Sequence, residues 1–266
     1  MQDHYLKAIE ASIKAGDAIM KIYRKDFDVE YKEDNSPLTQ ADKNANAVIM
    51  SYLETTSIPI ISEENKQTNY EERKFWTQCW IVDPLDGTKE FVKKNGEFTV
   101  NIALIDQQKP IFGVIYVPAQ RLLYVGDVAP QKAFKVDVPN AELHLDKLLK
   151  AKKLLKPSKH SNPLRVVGSR SHMNQNTLDY VNGLKDDYQK PVDIVSKGSS
   201  LKFCLVAEGN ADVYPRYAPT MEWDTAAGQA ICKAVGLEVI NLDTGEEMLY
   251  NRKNLLNGYF HVKTQL

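Results

Sequence analysis

Cysteine is scarce in this chain of 266 residues. Cys79, Cys204 and Cys232 are the three present, an odd number without the close pairing of a metal site. A disulfide framework and a structural zinc core are therefore excluded, and a reducing, cytoplasmic compartment is the simplest expectation. An excess of either charge is also missing. With 34 basic and 35 acidic residues the net charge is −1, which leaves no electrostatic footprint for a nucleic acid polymer. Long hydrophobic runs are absent as well. No apolar stretch approaches the ~20 residues of a spanning helix, and the opening MQDHYLKAIEASIKAGDAIMKIY has no basic segment followed by an apolar one. We expect a soluble protein without a transmembrane segment. Loose attachment to the inner face of the cell membrane stays open, as does the oligomeric state. Internal repeats and low-complexity tracts are lacking too.

What is present suffices for a substantial core. Apolar residues make up 43% of the chain, enough for one large domain or two closely packed subdomains. Residues 5–23 carry apolar side chains at helical spacing, and a second helix is expected from Thr39, a candidate N-cap with Asp42 three positions on, to about Thr55. IPIIS at 58–62 reads as a short buried strand. Five further runs, at 79–83, 99–106, 111–118, 121–127 and 132–136, have short connections that favour an antiparallel meander. The Lys-, Pro- and Ser-rich stretch 139–163 changes character, which suggests subdomains at 1–160 and 161–266. Beyond it strands at 165–169, 192–196, 211–215 and 237–241 alternate with helices near 174–183, 199–208 and 224–236. This half reads as α/β.

The stretch WIVDPLDGTKEF, Trp80 to Phe91, concentrates polar chemistry at the exit of an apolar strand. Cys79 to Val82 deliver Asp83, Pro84 is expected to stop the strand, and Gly87 permits a tight turn. Thr88 then stands where a helical turn begins, with backbone N–H groups suited to an anion. Two carboxylates about 4 Å apart repel by roughly 4 kcal/mol at an effective dielectric near 20. A hard divalent cation such as Mg²⁺ offsets that repulsion; the bland alternative is a turn in which Asp caps Gly and Thr. ISEEN places Glu63 and Glu64 after a strand, where solvated charges are common. MEWDTAAG places Asp224 before an Ala-rich helix, where an N-cap is the ordinary role.

Taken together these pieces resemble a known family. DPLDGT, an upstream SEE and a downstream WDTAAG look like the Mg²⁺-dependent, lithium-sensitive phosphomonoesterases of the inositol monophosphatase family. DNSPLTQAD, NGEFTVNIALI, GSRSH and GSSLKFCLVAEGNADVYPR narrow the resemblance to its CysQ-type 3′(2′),5′-bisphosphate nucleotidase branch. Lys89 and Glu90 follow DGT, where inositol monophosphatases usually carry uncharged residues. The resemblance implies an α+β and α/β fold, a layered αβαβα sandwich. It implies Glu63, Asp83 and the Leu85 carbonyl on a first Mg²⁺, and Asp83, Asp86 and Asp224 on a second, with Glu63 helping to hold a weaker third. Gly87 and Thr88 would donate backbone N–H groups to the scissile phosphate, and Asp42 would pair with the Thr88 hydroxyl to orient or deprotonate the attacking water. Capping and catalysis compete as readings of Asp42.

The implied reaction is hydrolysis of 3′-phosphoadenosine 5′-phosphate to AMP and phosphate by metal-activated water, with a link to sulfur metabolism. A bisphosphate needs a second anion site. Lys197, Gly198, Ser199, Ser200 and Lys202 around a helix N-terminus are one candidate, with Arg216 from YPRY and Ser169 and His172 from GSRSH; a solvated helix cap is the competing reading of the first group. The rival activities are an inositol monophosphatase or broad sugar phosphatase and, more remotely, a non-catalytic ligand-binding module.

Overall fold

Hydrophobic periodicity of 3.6 makes the first layer. In helix α1 (Asp3–Tyr23) Tyr5, Ala8, Ile9, Ser12, Gly16 and Ile19 turn inward. A short hairpin follows, β1 (Val29–Tyr31) and β2 (Pro37–Thr39), which leads into α2 (Gln40–Leu53) with Ala41, Ala45, Ile49 and Leu53 buried. The computed structural model describes residues 1–25, 29–31, 37–140, 143–168 and 174–266.

A 3-10 turn (Glu54–Thr56) closes α2 and precedes β3 (Ile60–Ser62), the short helix α3 (Tyr70–Arg73), β4 (Gln78–Asp86) and one helical turn, α4 (Thr88–Val92). Then come β5 (Thr99–Asp106), β6 (Lys109–Val117), β7 (Leu122–Asp127) and β8 (Lys132–Asp137), with α5 (Leu145–Lys150) before β9 (Lys153–Leu154). These strands form one sheet in sequence order, β3 parallel to β4 and the rest antiparallel. The expected meander is therefore present. Its strands are apolar on both faces. Trp80, Val82, Val100, Ile102, Phe112 and Val114 meet α1 and α2, whereas Ile81, Ala103, Ile105 and Ile115 face a second core. A sheet greasy on both sides has to be covered on both.

The second half supplies that cover: β10 (Leu164–Gly168), α6 (Gln175–Tyr188), β11 (Val192–Ser196), α7 (Leu201–Ala207), β12 (Val213–Arg216), α8 (Glu222–Ala234), β13 (Val239–Asn241) and β14 (Phe260–Lys263). Its strands are ordered β11-β10-β12-β14-β13, parallel among the first three and antiparallel around β14. Phe203, Cys204, Ala227, Ile231 and Cys232 of α7 and α8 lie in one core with residues of both sheets, and Val181 and Leu184 of α6 pack on Val166 and Val213. The layers thus run α1/α2, first sheet, α7/α8, second sheet, α6: an αβαβα sandwich. Its middle layer is thin because it is small. A Cβ on Gly113 would stand 2.5 Å from the Ala227 carbonyl, so the Ala-rich face of α8 lies almost against the β6 backbone.

Three expectations are corrected. Pro84 does not stop β4, which runs on to Asp86. Helix α8 begins at Glu222, not Asp224, and α7 begins at Leu201, not Ser199. The second half is also not a plain alternation, because β14 inserts antiparallel between β12 and β13. The expected seam near 160 falls in the crossover between the sheets. We propose it as a subdomain boundary bridged by a shared core.

Candidate active site

In a strand, residues three apart face opposite ways. Asp83 and Asp86 should therefore diverge. The register explains why they do not: Asp83 pairs with Asn101 and Asp86 with Thr99, so three steps on β4 match two on β5. The extra residue is a bulge, which bends the strand and re-aims side chains, and it is a position where a proline costs no ladder hydrogen bond. Pro84 thus accompanies the bulge that brings both carboxylates to one side. Leu85 N–H donates to Asp83 Oδ1 at 3.0 Å. Asp86 Oδ2 accepts from Ser200 N–H at 2.6 Å and from the Ser200 hydroxyl at 2.5 Å, with Asn101 Nδ2 at 3.3 Å.

The third carboxylate arrives from the middle layer. Met221 is the N-cap of α8 and Asp224 its N3 residue, accepting from Met221 N–H at 2.7 Å. Asp224 therefore does cap the helix, from N3 rather than from the N-cap. One carboxylate oxygen from each of Asp83, Asp86 and Asp224 lies within 4.8 Å of the other two. Burial pushes Asp83 well above the usual carboxylate range, and the charges of Glu63, Asp86 and Asp224 push the same way. Asp224 is pushed up to about 8, by burial first and by Asp86 next. Glu63, just past β3, donates its backbone N–H to Val82 O. Its carboxylate is outside the tight trio, yet its charge acts on both Asp83 and Asp224. A cluster whose members oppose one another's ionisation is a cluster that a cation would stabilise.

Asp42 meets the partners of both readings. Its Oδ2 accepts from the Thr39 backbone N–H at 2.8 Å and the Thr39 hydroxyl at 2.7 Å, closing a capping box, while Oδ1 lies 3.3 Å from Thr88 Oγ1. Thr88 Oγ1 is also 3.3 Å from the Leu85 carbonyl, so its single proton has two acceptors to choose from. Gly87 caps α4 at φ +88°, a conformation other residues rarely adopt.

A cleft of about 350 Å³ opens from this point. Asp86, Thr88 and Asp224 line it together with Lys202, Tyr214 and Arg216. Lys202 Nζ donates to the Ser199 carbonyl at 2.5 Å and stands 5.4 Å from the Tyr214 ring centroid. Burial lowers it to about 8, against the raising influence of Asp86 and Asp224. Arg216 Nη2 donates to Pro219 O, but its buried Nε has no partner among the described residues. In the expected anion cradle at 197–202 two of the amides are already engaged. Gly198 N–H is taken by Glu97 Oε2 at 2.9 Å and Ser200 N–H by Asp86, so carboxylates of the protein itself fill that turn, although Gly198 and Ser199 still line the cleft. Ser169 and His172 lie outside the described residues. Ser200 as a holder of Asp86, Asn101 and Glu97 were not singled out from sequence for these roles. Only their position beside the NGEF and GSS motifs marked them.

Comparison with known proteins fits this geometry. The model of the inositol monophosphatase family matches residues 1–265. The chain belongs to this family. A relative from Escherichia coli named 3′(2′),5′-bisphosphate nucleotidase CysQ is 45% identical over 253 residues, 93% of this chain and 94% of the relative. One of the same name from Haemophilus influenzae is 32% identical, covering 98% of this chain and 93% of its own length. The crystal structure of CysQ from Bacteroides thetaiotaomicron, a bacterial member of the family, superposes with a TM-score of 0.88 at 43% identity, covering 100% of this chain and 98% of that one. Inositol monophosphatase II from Staphylococcus aureus shares the family fold, with a TM-score of 0.71 at 23% identity over 97% of this chain and 88% of that one.

Proposed function

We propose that this chain is a Mg²⁺-dependent phosphomonoesterase that hydrolyses 3′(2′),5′-bisphosphate nucleotides, 3′-phosphoadenosine 5′-phosphate above all, to AMP and phosphate. The carrying observation is the convergence of Asp83, Asp86 and Asp224 within 4.8 Å beside a cleft that Lys202 and Arg216 also line. The nucleotide preference rests on relatives of that name that align along nearly the whole chain.

The donor set fits hard divalent cations. All the converging groups are oxygens, with the Leu85 carbonyl and Glu63 as further candidate ligands, and softer nitrogen or sulfur ligands are missing from the trio. Asp83, Asp86, Asp224, Glu63 and Leu85 are the residues we assign to two Mg²⁺ sites, with Glu63 available to a third. When bound, such cations neutralise charge on the phosphoryl oxygens and acidify a nearby water. The protein does the rest. Thr88 donates its proton to Asp42, which turns the hydroxyl lone pairs toward the cleft, where they accept from the attacking water and set its direction. Gly87 and Thr88 N–H groups hold the scissile phosphate. Arg216 and Lys202 hold the second phosphate, and Arg216 Nε, without a partner among the described residues, is a ready donor for it. With the amides of Gly198 and Ser200 already used, the second phosphate depends on these two side chains rather than on the turn.

The test is a substrate panel: 3′-phosphoadenosine 5′-phosphate, inositol 1-phosphate and fructose 1,6-bisphosphate, with Mg²⁺ and with EDTA. We expect phosphate release chiefly from the nucleotide, abolished by EDTA and restored by Mg²⁺. Equal turnover of all three would replace the nucleotidase reading by a broad phosphatase.

A further inference from the structure

A buried carboxylate stands beside the cleft without belonging to the metal cluster. Glu97, in the loop between α4 and β5, is only 7% exposed. Its Oε2 accepts from Gly198 N–H at 2.9 Å and its Oε1 meets Lys197 Nζ at 3.1 Å. The two partners are a hundred residues away in sequence, in the turn between β11 and α7. The fit is close. A Cβ on Gly198 would stand 3.0 Å from the Glu97 carbonyl and 2.8 Å from Glu90 Cγ, and one on Gly87 would meet the Glu97 carbonyl and Ser199 Cβ, each at 3.2 Å. Three backbone segments, the Gly87 turn, Glu97 and the turn at 198–199, therefore meet at one point.

Two residues further on, Ser200 holds Asp86 through both its N–H and its hydroxyl, and that hydroxyl is itself held by Asn101 Nδ2 at 2.7 Å. The turn is thus pinned at both ends by carboxylates of the first half, by Glu97 at Gly198 and by Asp86 at Ser200. The first pin lies outside the carboxylate trio. The second restrains a side chain of the metal cluster.

We propose that Glu97 is a positioning residue: by clamping Gly198 and Lys197 it fixes the turn that orients the Asp86 carboxylate for divalent-ion binding. Outer partners of metal-binding carboxylates typically alter affinity or activity by about 10–100-fold when removed. The inference rests on the metal-dependent reading of the site and adds a residue to it. The Gly198 hydrogen bond, more than the half-exposed Lys197 charge, carries the effect. Glu97→Gln keeps an acceptor for Gly198, whereas Glu97→Ala has none and Glu97→Asp is too short to reach.

The experiment titrates Mn²⁺ into metal-free wild type and the variants Glu97→Ala, Glu97→Asp, Glu97→Gln and Lys197→Met by calorimetry, with kcat and KM measured at saturating Mg²⁺. We expect about 10–100-fold weaker Mn²⁺ binding and a matching fall in kcat for Ala and Asp, and values within about threefold of wild type for Gln and Lys197→Met. If Glu97→Ala does not fold, the contrast between Gln and Asp decides the matter. Wild-type Mn²⁺ affinity in the Ala or Asp variant, or equal impairment in Gln and Asp, overturns the proposal. A wild-type enzyme indifferent to EDTA would overturn the functional reading instead, so the two failures are separable.

Discussion

Asp42 faces the start of α2 and the Thr88 hydroxyl through different oxygens, and this division can be taken apart. Oδ2 closes the capping box at Thr39 and Oδ1 faces Thr88. An asparagine has one oxygen and one NH₂ group, so Asp42→Asn can satisfy only one of the two sets of donors. Thr88→Ala leaves the capping box at Thr39 intact. We expect Thr88→Ala to lower kcat by about 10²–10⁴-fold, the usual range for a positioned proton-transfer group, with the melting temperature unchanged within a degree or two. Asp42→Asn should combine a fall in kcat with a loss of about 1 kcal/mol from the weakened N-terminus of α2. Parallel kinetics and thermal melts check this. A Thr88→Ala enzyme of wild-type rate would remove the water-orienting pair from the mechanism.

At the scale of elements, the bulge in β4 shows what a sequence does and does not reveal. The ligand types in DPLDGT are legible because the chemistry is packed into six residues. Their common direction is not, because it depends on β5 pairing one residue out of step. The Ala-rich run of α8 is legible as a helix, but its small side chains make sense only once two sheets are known to close on it. Strand β14 is not legible because FHVK is only four residues long, and its place between β12 and β13 is a long-range choice. That strand carries a pH effect. His261, on β14, has its ring centroid 6.0 Å from that of Tyr180 on α6, and its buried Nδ1 lacks a partner among the described residues. Burial first, and Lys263 second, lower it from 6.5 to about 4. The unfolded chain therefore takes up a proton at a pH where the folded one does not. Stability is whole above about 6.5 and is lost as the pH falls toward 4. With the ring only half-buried, we discount this to about 1–2 kcal/mol. His261→Gln should narrow by that amount the gap between the unfolding free energies that urea titrations give at pH 7 and pH 4.5. An unchanged gap would mean that His261 is solvated and titrates normally.

The molecule as a whole is assembled so that its most crowded charges bridge its layers. Asp83 and Asp86 belong to the first sheet and Asp224 to the middle helices, and their carboxylates converge within 4.8 Å. A divalent ion there would be a cross-link between layers as well as a cofactor, and a ligand that binds only the folded state stabilises it. At a hundred times its dissociation constant the gain is about 2.7 kcal/mol, which for a chain of this size raises the melting temperature by roughly 5–10 °C. We expect Mg²⁺ to raise the wild-type melting temperature by that amount over EDTA. Asp224→Asn keeps an oxygen for Met221 N–H and removes one of the repelling charges. In EDTA it should melt at the wild-type temperature or above, yet gain little from Mg²⁺ and lose at least about 10³-fold in kcat, since an ion held by this carboxylate would supply much of the charge stabilisation. The site would then be a place where stability has been given up for function, and the metal restores it. An Asp224→Asn protein that gained as much from Mg²⁺ as wild type would put the bound ion elsewhere and separate α8 from the chemistry.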